Sequence, residues 1–189
     1  MSIKKGIYSL IGDFVIVLAL CGMNTSALAR HSSIQLSSNV TQLATSETVN
    51  KPLEGKLSSL DDKFGTALSW NKIYPNTITV NEDGRYFIMT VAQVGAEEPI
   101  PFRGADIMFW YTMNKKALAS SGSWTFISAT TRTETIVDQI IVNCKKGDKI
   151  GLVYLSSGVN AGLLANVANS DTGYPGSTSL SVSMFKIDS

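Results

Sequence analysis

Apolar and polar residues alternate with a period of two along most of this chain, the mark of half-buried strands. The alternation is cleanest in 178–187. There Leu180, Val182 and Met184 face one way, and Ser179, Ser181 and Ser183 the other. Further strands are predicted at 65–71, 77–80, 85–94, 105–113, 123–128 and 161–167. Turn chemistry separates them: the acidic Asn81-Glu82-Asp83-Gly84, the prolines Pro99 and Pro101 in 96–104, a turn over 114–122 and a polar loop over 169–177. The stretch 133–156 is central. Ile136, Ile140 and Val142 mark one strand and 150–155 a second, and the turn residues Lys145-Lys146-Gly147-Asp148 between them predict an antiparallel hairpin. Such spacing predicts an all-β jelly-roll β-sandwich of eight to ten antiparallel strands.

Some of these strands are apolar on both faces. In 85–94, Tyr86, Ile88 and Val94 oppose Phe87, Met89 and Val91, and in 105–113 Ile107, Phe109 and Tyr111 oppose Met108 and Trp110. In 149–155, Ile150, Leu152 and Tyr154 oppose Val153 and Leu155. A two-layer sandwich covers one face of each sheet, so the second faces predict an oligomer. Phe87, Met89, Met108, Trp110 and Tyr154 are the candidate interface residues.

The N-terminus reads as an export leader. Lys4 and Lys5 precede the short apolar run 14–21, and Ala27-Leu28-Ala29 fits a cleavage site, so residues 1–29 are expected to be a signal peptide cleaved after Ala29. A lipidated Cys21 and an uncleaved anchor are the alternatives. The chain is then expected to be secreted or held at the cell surface, with no membrane span in its mature form. Residues 30–63 are polar and Ser/Thr-rich, and are expected to be flexible or to form a short helix. The spacing of Leu53, Leu57, Leu60 and Phe64 after Pro52 allows either a coiled-coil stalk or packing on the domain. The domain itself is expected to run over 64–189.

Composition narrows the role. The whole chain holds 16 basic and 15 acidic residues, and the two signs balance once Lys4, Lys5 and Asp13 leave with the leader. A neutral chain does not suit nucleic acid or an anionic membrane surface as the main partner. Cys144 is alone after Cys21 is lost, so it reads as a buried apolar side chain, the alternative being a thiol paired between subunits. The single histidine, His31, lies two residues past the cleavage site, which removes His-dependent nucleophile systems and zinc clusters. Ser69-Trp70-Asn71-Lys72 fits S-x-x-K, but in a strand-like run and without K-T-G. The adjacent Glu97 and Glu98 cannot face each other across a scissile bond. The chain reads as a binding module rather than an enzyme, with no cofactor or metal expected.

Four motifs in order carry a family resemblance. Gly84-Arg85-Tyr86-Phe87 opens a long strand after an acidic turn, and 106–114 is a strand ending in an Asn-containing turn. Gly147-Asp148 precedes an apolar strand, and Gly162-Leu163-Leu164-Ala165 comes before a polar loop and a last apolar strand. Together they resemble the C1q/TNF-like jelly roll over about two-thirds of the chain. Departures are the absence of a Gly-X-Y stalk, of a glycine in 179–187, and of carboxylates in 117–133, where some members bind calcium. The resemblance implies a homotrimer. Loops held by a rigid scaffold are the expected binding elements. They supply Glu97, Glu98 and Arg103 from 96–104, Lys115 and Lys116 from 115–123, and Asp171 and Tyr174 from 169–177, for an unknown protein or glycan ligand. Alternatives are a coat or assembly protein in which the trimer is the product, and a monomeric sugar-binding jelly roll. In the last, Trp110 or Trp124 is a stacking platform rather than core.

Overall fold

The computed structural model describes residues 32–97, 104–128, 133–166, 171, 173 and 176–188. The expected leader, His31, Glu98, Arg103 and Tyr174 lie outside them. In chain order the strands begin with β1 (Ser33–Ser38), β2 (Gln42–Leu43), β3 (Leu53–Glu54), β4 (Ser59–Phe64), β5 (Leu68–Trp70), β6 (Thr77–Val80) and β7 (Gly84–Ala96). They continue with β8 (Ala105–Met113), β9 (Lys116–Ile127), β10 (Thr133–Cys144), β11 (Lys149–Ser156), β12 (Ala161–Leu163) and β13 (Leu180–Lys186).

These thirteen strands, several of only two or three residues, form two antiparallel sheets. The first has the order β10-β7-β13-β1-β4, with β12 and β2 continuing from the far end of β7. The second has the order β5-β6-β11-β8-β9, with the short β3 also on β11. The core fills the space between them, and alternation selects its members. Ile34, Leu36, Tyr86, Ile88, Val182 and Met184 from the first sheet meet Ile107, Phe109, Tyr111, Ile150 and Leu152 from the second. Phe109 and Tyr111 pack edge to face, with ring centroids 6.1 Å apart.

Four expectations are corrected. Residues 32–63 are neither flexible nor helical: β1 pairs with β13 and β4 on its two edges, and Leu36 and Leu57 are buried. The heptad-like stripe is broken by this arrangement, since Leu60 and Phe64 are exposed while Leu57 is core. The sandwich therefore starts near Ser32, not at Phe64. Nor is 133–156 a hairpin. β10 pairs with β7 in the first sheet and β11 with β8 and β6 in the second, so the turn between them is an arch that crosses the sandwich.

That arch docks on β6, where Gly147 N donates to Val80 O at 2.8 Å and Val80 N to Asp148 O at 2.9 Å. Gly147 takes φ 94°, a conformation that side chains rarely adopt. The predicted loop at 115–123 is mostly strand β9. Its turn is only Asn114-Lys115, both at positive φ, as a two-residue turn between strands of matching twist requires. Finally, Ser179 is buried rather than exposed, its hydroxyl donating to Val40 O at 2.7 Å.

Candidate functional site

The residues of the second apolar faces lie in three separate places. Phe87 and Met89 point outward from the first sheet, half-buried. Met108 and Trp110 point outward from the second sheet, on the opposite side of the sandwich. Tyr154 is core: it is 3% exposed, pairs with Phe109, and donates its hydroxyl to Gln42 O at 2.8 Å, tying β11 to β2. Burial raises its phenol to about 12. It has no surface to offer a neighbour, so its place among the interface candidates is withdrawn.

The outer face of the first sheet is the larger apolar surface. Register places Ile141, Phe87 and Phe185 in one cross-strand row, and Val137 and Val91 in another four residues along, with Met89 between them. Phe87 and Phe185 lie with ring centroids 6.4 Å apart. Val137 is 62% exposed and Ile141 52%, and Val91 and Phe185 are exposed as well. Val137, Ile141 and Phe185 were missed in the sequence. The signal was present: in β10 the apolar residues fall on odd as well as even positions, so both faces of that strand carry them.

The candidate loops divide between the two ends of the sandwich. Glu97, exposed, follows β7 where β12 and the start of β10 join it. Asp171, also exposed, lies in the connection from β12 to β13, which leaves from the same end. The base of that connection is tied by the Asn166–Ser177 bridge and by Ser177 Oγ donating to Gln93 Oε1 at 2.6 Å. Lys115 and Lys116, both exposed, sit at the far end of β8. At about 3.4 Å per residue, nine-residue β8 puts them about 27 Å from the Glu97 end. One ligand-binding cluster cannot hold both sets.

The Lys115 end is a polar lock rather than an open site. Asp83 accepts from Lys145 Nζ at 3.2 Å and Lys146 N at 2.8 Å, and Glu82 accepts from Lys186 Nζ at 3.0 Å. Asp148 accepts from Lys145 N and from Asn114 Nδ2, both at 2.7 Å. These donors hold the carboxyls of Glu82, Asp83 and Asp148 below their ordinary values. Ser32 and Lys186 meet at this same end, with Lys186 N donating to Ser32 O at 2.8 Å.

Little here is arranged for covalent chemistry. Cys144 is 3% exposed on the inner face of β10, and burial pushes its thiol up to about 12. That leaves it as core and withdraws the thiol paired between subunits. Ser69 stands in strand β5, donating to Asn81 Oδ1 at 3.2 Å, where S-x-x-K chemistry needs a helix start. Among the described residues no group of three or more His, Cys, Asp or Glu converges as a metal site would require. No helix among them is long and apolar enough to cross a membrane.

No family model matches the sequence, and no curated protein matches it. Solved structures match the fold. Murine APRIL, crystallised at pH 5.0, aligns with a TM-score of 0.53 over 84% of this chain and 100% of its own, at 11% identity. The globular domain of zebrafish complement 1qA protein aligns with a TM-score of 0.52 over 82% of this chain and 97% of its own, at 12% identity. The fold is a C1q/TNF-like jelly roll, as the four motifs implied.

Proposed function

We propose that the chain is an exported, homotrimeric recognition module that binds a protein or glycan ligand. The observation that carries this reading is the outer face of the first sheet, where Val137, Ile141, Val91, Phe87 and Phe185 form one apolar surface. A soluble monomer rarely leaves so continuous a patch in water. A standard interface of about 800 Å² per subunit would cover it. Export is supported by the leader pattern of residues 1–29, and the trimeric count by the resemblance of the four motifs. The ends of the sandwich suit the role. Residue 32, where any preceding segment joins, is at the Asp83 end, and the connections holding Glu97 and Asp171 face the other way. Ligand loops would thus project from the pole opposite Ser32.

Light scattering on the purified mature protein at micromolar concentration tests this. A trimer is expected for the native sequence and a folded monomer for Ile141→Arg, because a charge buried without a partner opposes assembly and leaves the single sandwich intact. A native protein that is a folded monomer at that concentration overturns the reading.

A further inference from the structure

The opposite side of the sandwich carries a second feature, independent of the apolar face just described. β8 and β9 fall out of register after Trp110. Trp110 pairs with Gly122 and Thr112 with Ala117, so four residues of β9, 118–121, stand against Tyr111 alone. Ser120 adopts φ 59° at the crest of this bulge. Its base is fixed by Ser121, whose hydroxyl donates to Leu118 O at 2.8 Å and accepts from Tyr111 N at 3.1 Å. Bulges of this kind re-aim side chains beside binding sites.

The bulge closes one end of an open groove of about 390 Å³ on the outer face of the second sheet, lined by Trp110, Trp124, Met108, Leu118, Ser120 and Gly122 among others. Trp124 is 62% exposed, yet its indole N–H donates to Asp106 Oδ1 at 3.2 Å, which fixes the ring. Trp110 stands diagonally across, next to Gly122, and a side chain built at Gly122 would meet nothing within 4 Å. The glycine keeps the space between the indoles open.

We propose that this groove is a subsite for one or two rings of a neutral sugar. Its chemistry selects that class. An indole face carries negative quadrupole density, which complements the weakly positive C–H face of a pyranose, and Ser120 adds a polar residue to the lining. None of the lining residues is charged, and the carboxylate bonded to Trp124, Asp106, would repel an anion, so an anionic ligand finds no counter-charge. The volume suits a small ligand, whereas a second copy of the chain needs about 800 Å² from each partner, well beyond what a groove of this size offers. The inference rests on the recognition reading in naming its ligand class, but it does not need the trimer, since the apolar face lies on the other sheet.

The test is a tryptophan-fluorescence titration of the purified protein with soluble neutral oligosaccharides of glucose, galactose, mannose and N-acetylglucosamine. At least one series should give a saturable change, weakened at least about tenfold by Trp124→Ala and by Gly122→Leu. Both positions are on the surface, and unchanged melting of each variant would show that the fold is intact. Repeating the titration on Ile141→Arg, with its oligomeric state read by light scattering, separates the two proposals: binding should survive in the monomer. The subsite is overturned if no sugar gives a saturable change up to about 20 mM, a level well above weak-binding affinities. It is equally overturned if both variants bind like the native protein, or if only an apolar dye occupies the groove. In each case the trimer stands or falls on light scattering alone.

Discussion

The hydroxyl of Tyr111 lies 2.9 Å from Oγ1 of Thr90, so a side chain of the second sheet reaches across the core to bond with one of the first. The same hydroxyl donates to the Asp138 carbonyl of β10 at 3.2 Å. Both side chains are buried, and water cannot replace the bond if one partner is removed. Tyr111→Phe is therefore expected to cost about 1–3 kcal/mol in urea unfolding, because buried polar atoms lose their partner. Adding Thr90→Val should recover part of that loss, since an apolar pair leaves less unsatisfied. Equal and additive losses in the double-mutant cycle would count against a direct bond.

Alkaline pH should unfold the protein earlier than its arginine and lysine content suggests. Burial raises the phenols of Tyr86 and Tyr154 to about 12, and the Cys144 thiol likewise, above their ordinary values of 10 and 9. The unfolded chain loses these protons first, so stability falls as pH rises. The contribution is complete below pH 9 and is lost between there and about 12. Melting temperatures measured from pH 8 to 11 should fall steadily, and Tyr154→Phe should flatten the slope. A flat profile in the native protein would contradict the burial of these groups.

A chain cut to begin at Phe64 should not fold. It would lack β1 and nearly all of β4, together with Ile34, Leu36 and Leu57 of the core, and would leave β13 unpaired along one edge. Removing one large buried aliphatic side chain costs about 2–5 kcal/mol, and three such losses are as large as the whole stability of a typical domain. Circular dichroism of the 64–189 fragment against 32–189 measures this. Cooperative melting of the shorter fragment would show that the strands from β1 to β4 are dispensable.

How far the sequence could be read follows from what alternation reports. It shows which side of a strand is buried, and β6 and β8 were found with their observed ends. It does not show which sheet a strand joins. The Lys145–Asp148 turn has the same composition whether its flanking strands pair with each other or part to opposite sheets, so the arch was read as a hairpin. Tyr154 was misplaced for a related reason: a strand apolar on both faces was assigned outward residues without knowing which face met the core. Residues 32–63 were lost to their serines. In β1, Ser33, Ser37 and Ser38 accompany Ile34 and Leu36, and the long-range pairing with β13 outweighs the weak local preference.

The placement of β13 governs how this sandwich can come into being. β13 is inserted between β7 and β1, near the middle of the first sheet, and its partner in β1 is about 150 residues away. Until β13 has been made and inserted, β7 and β1 each present an open edge, and the sheet cannot close. Pairings this distant form slowly, so the chain spends an interval with exposed edges that invite pairing with other chains.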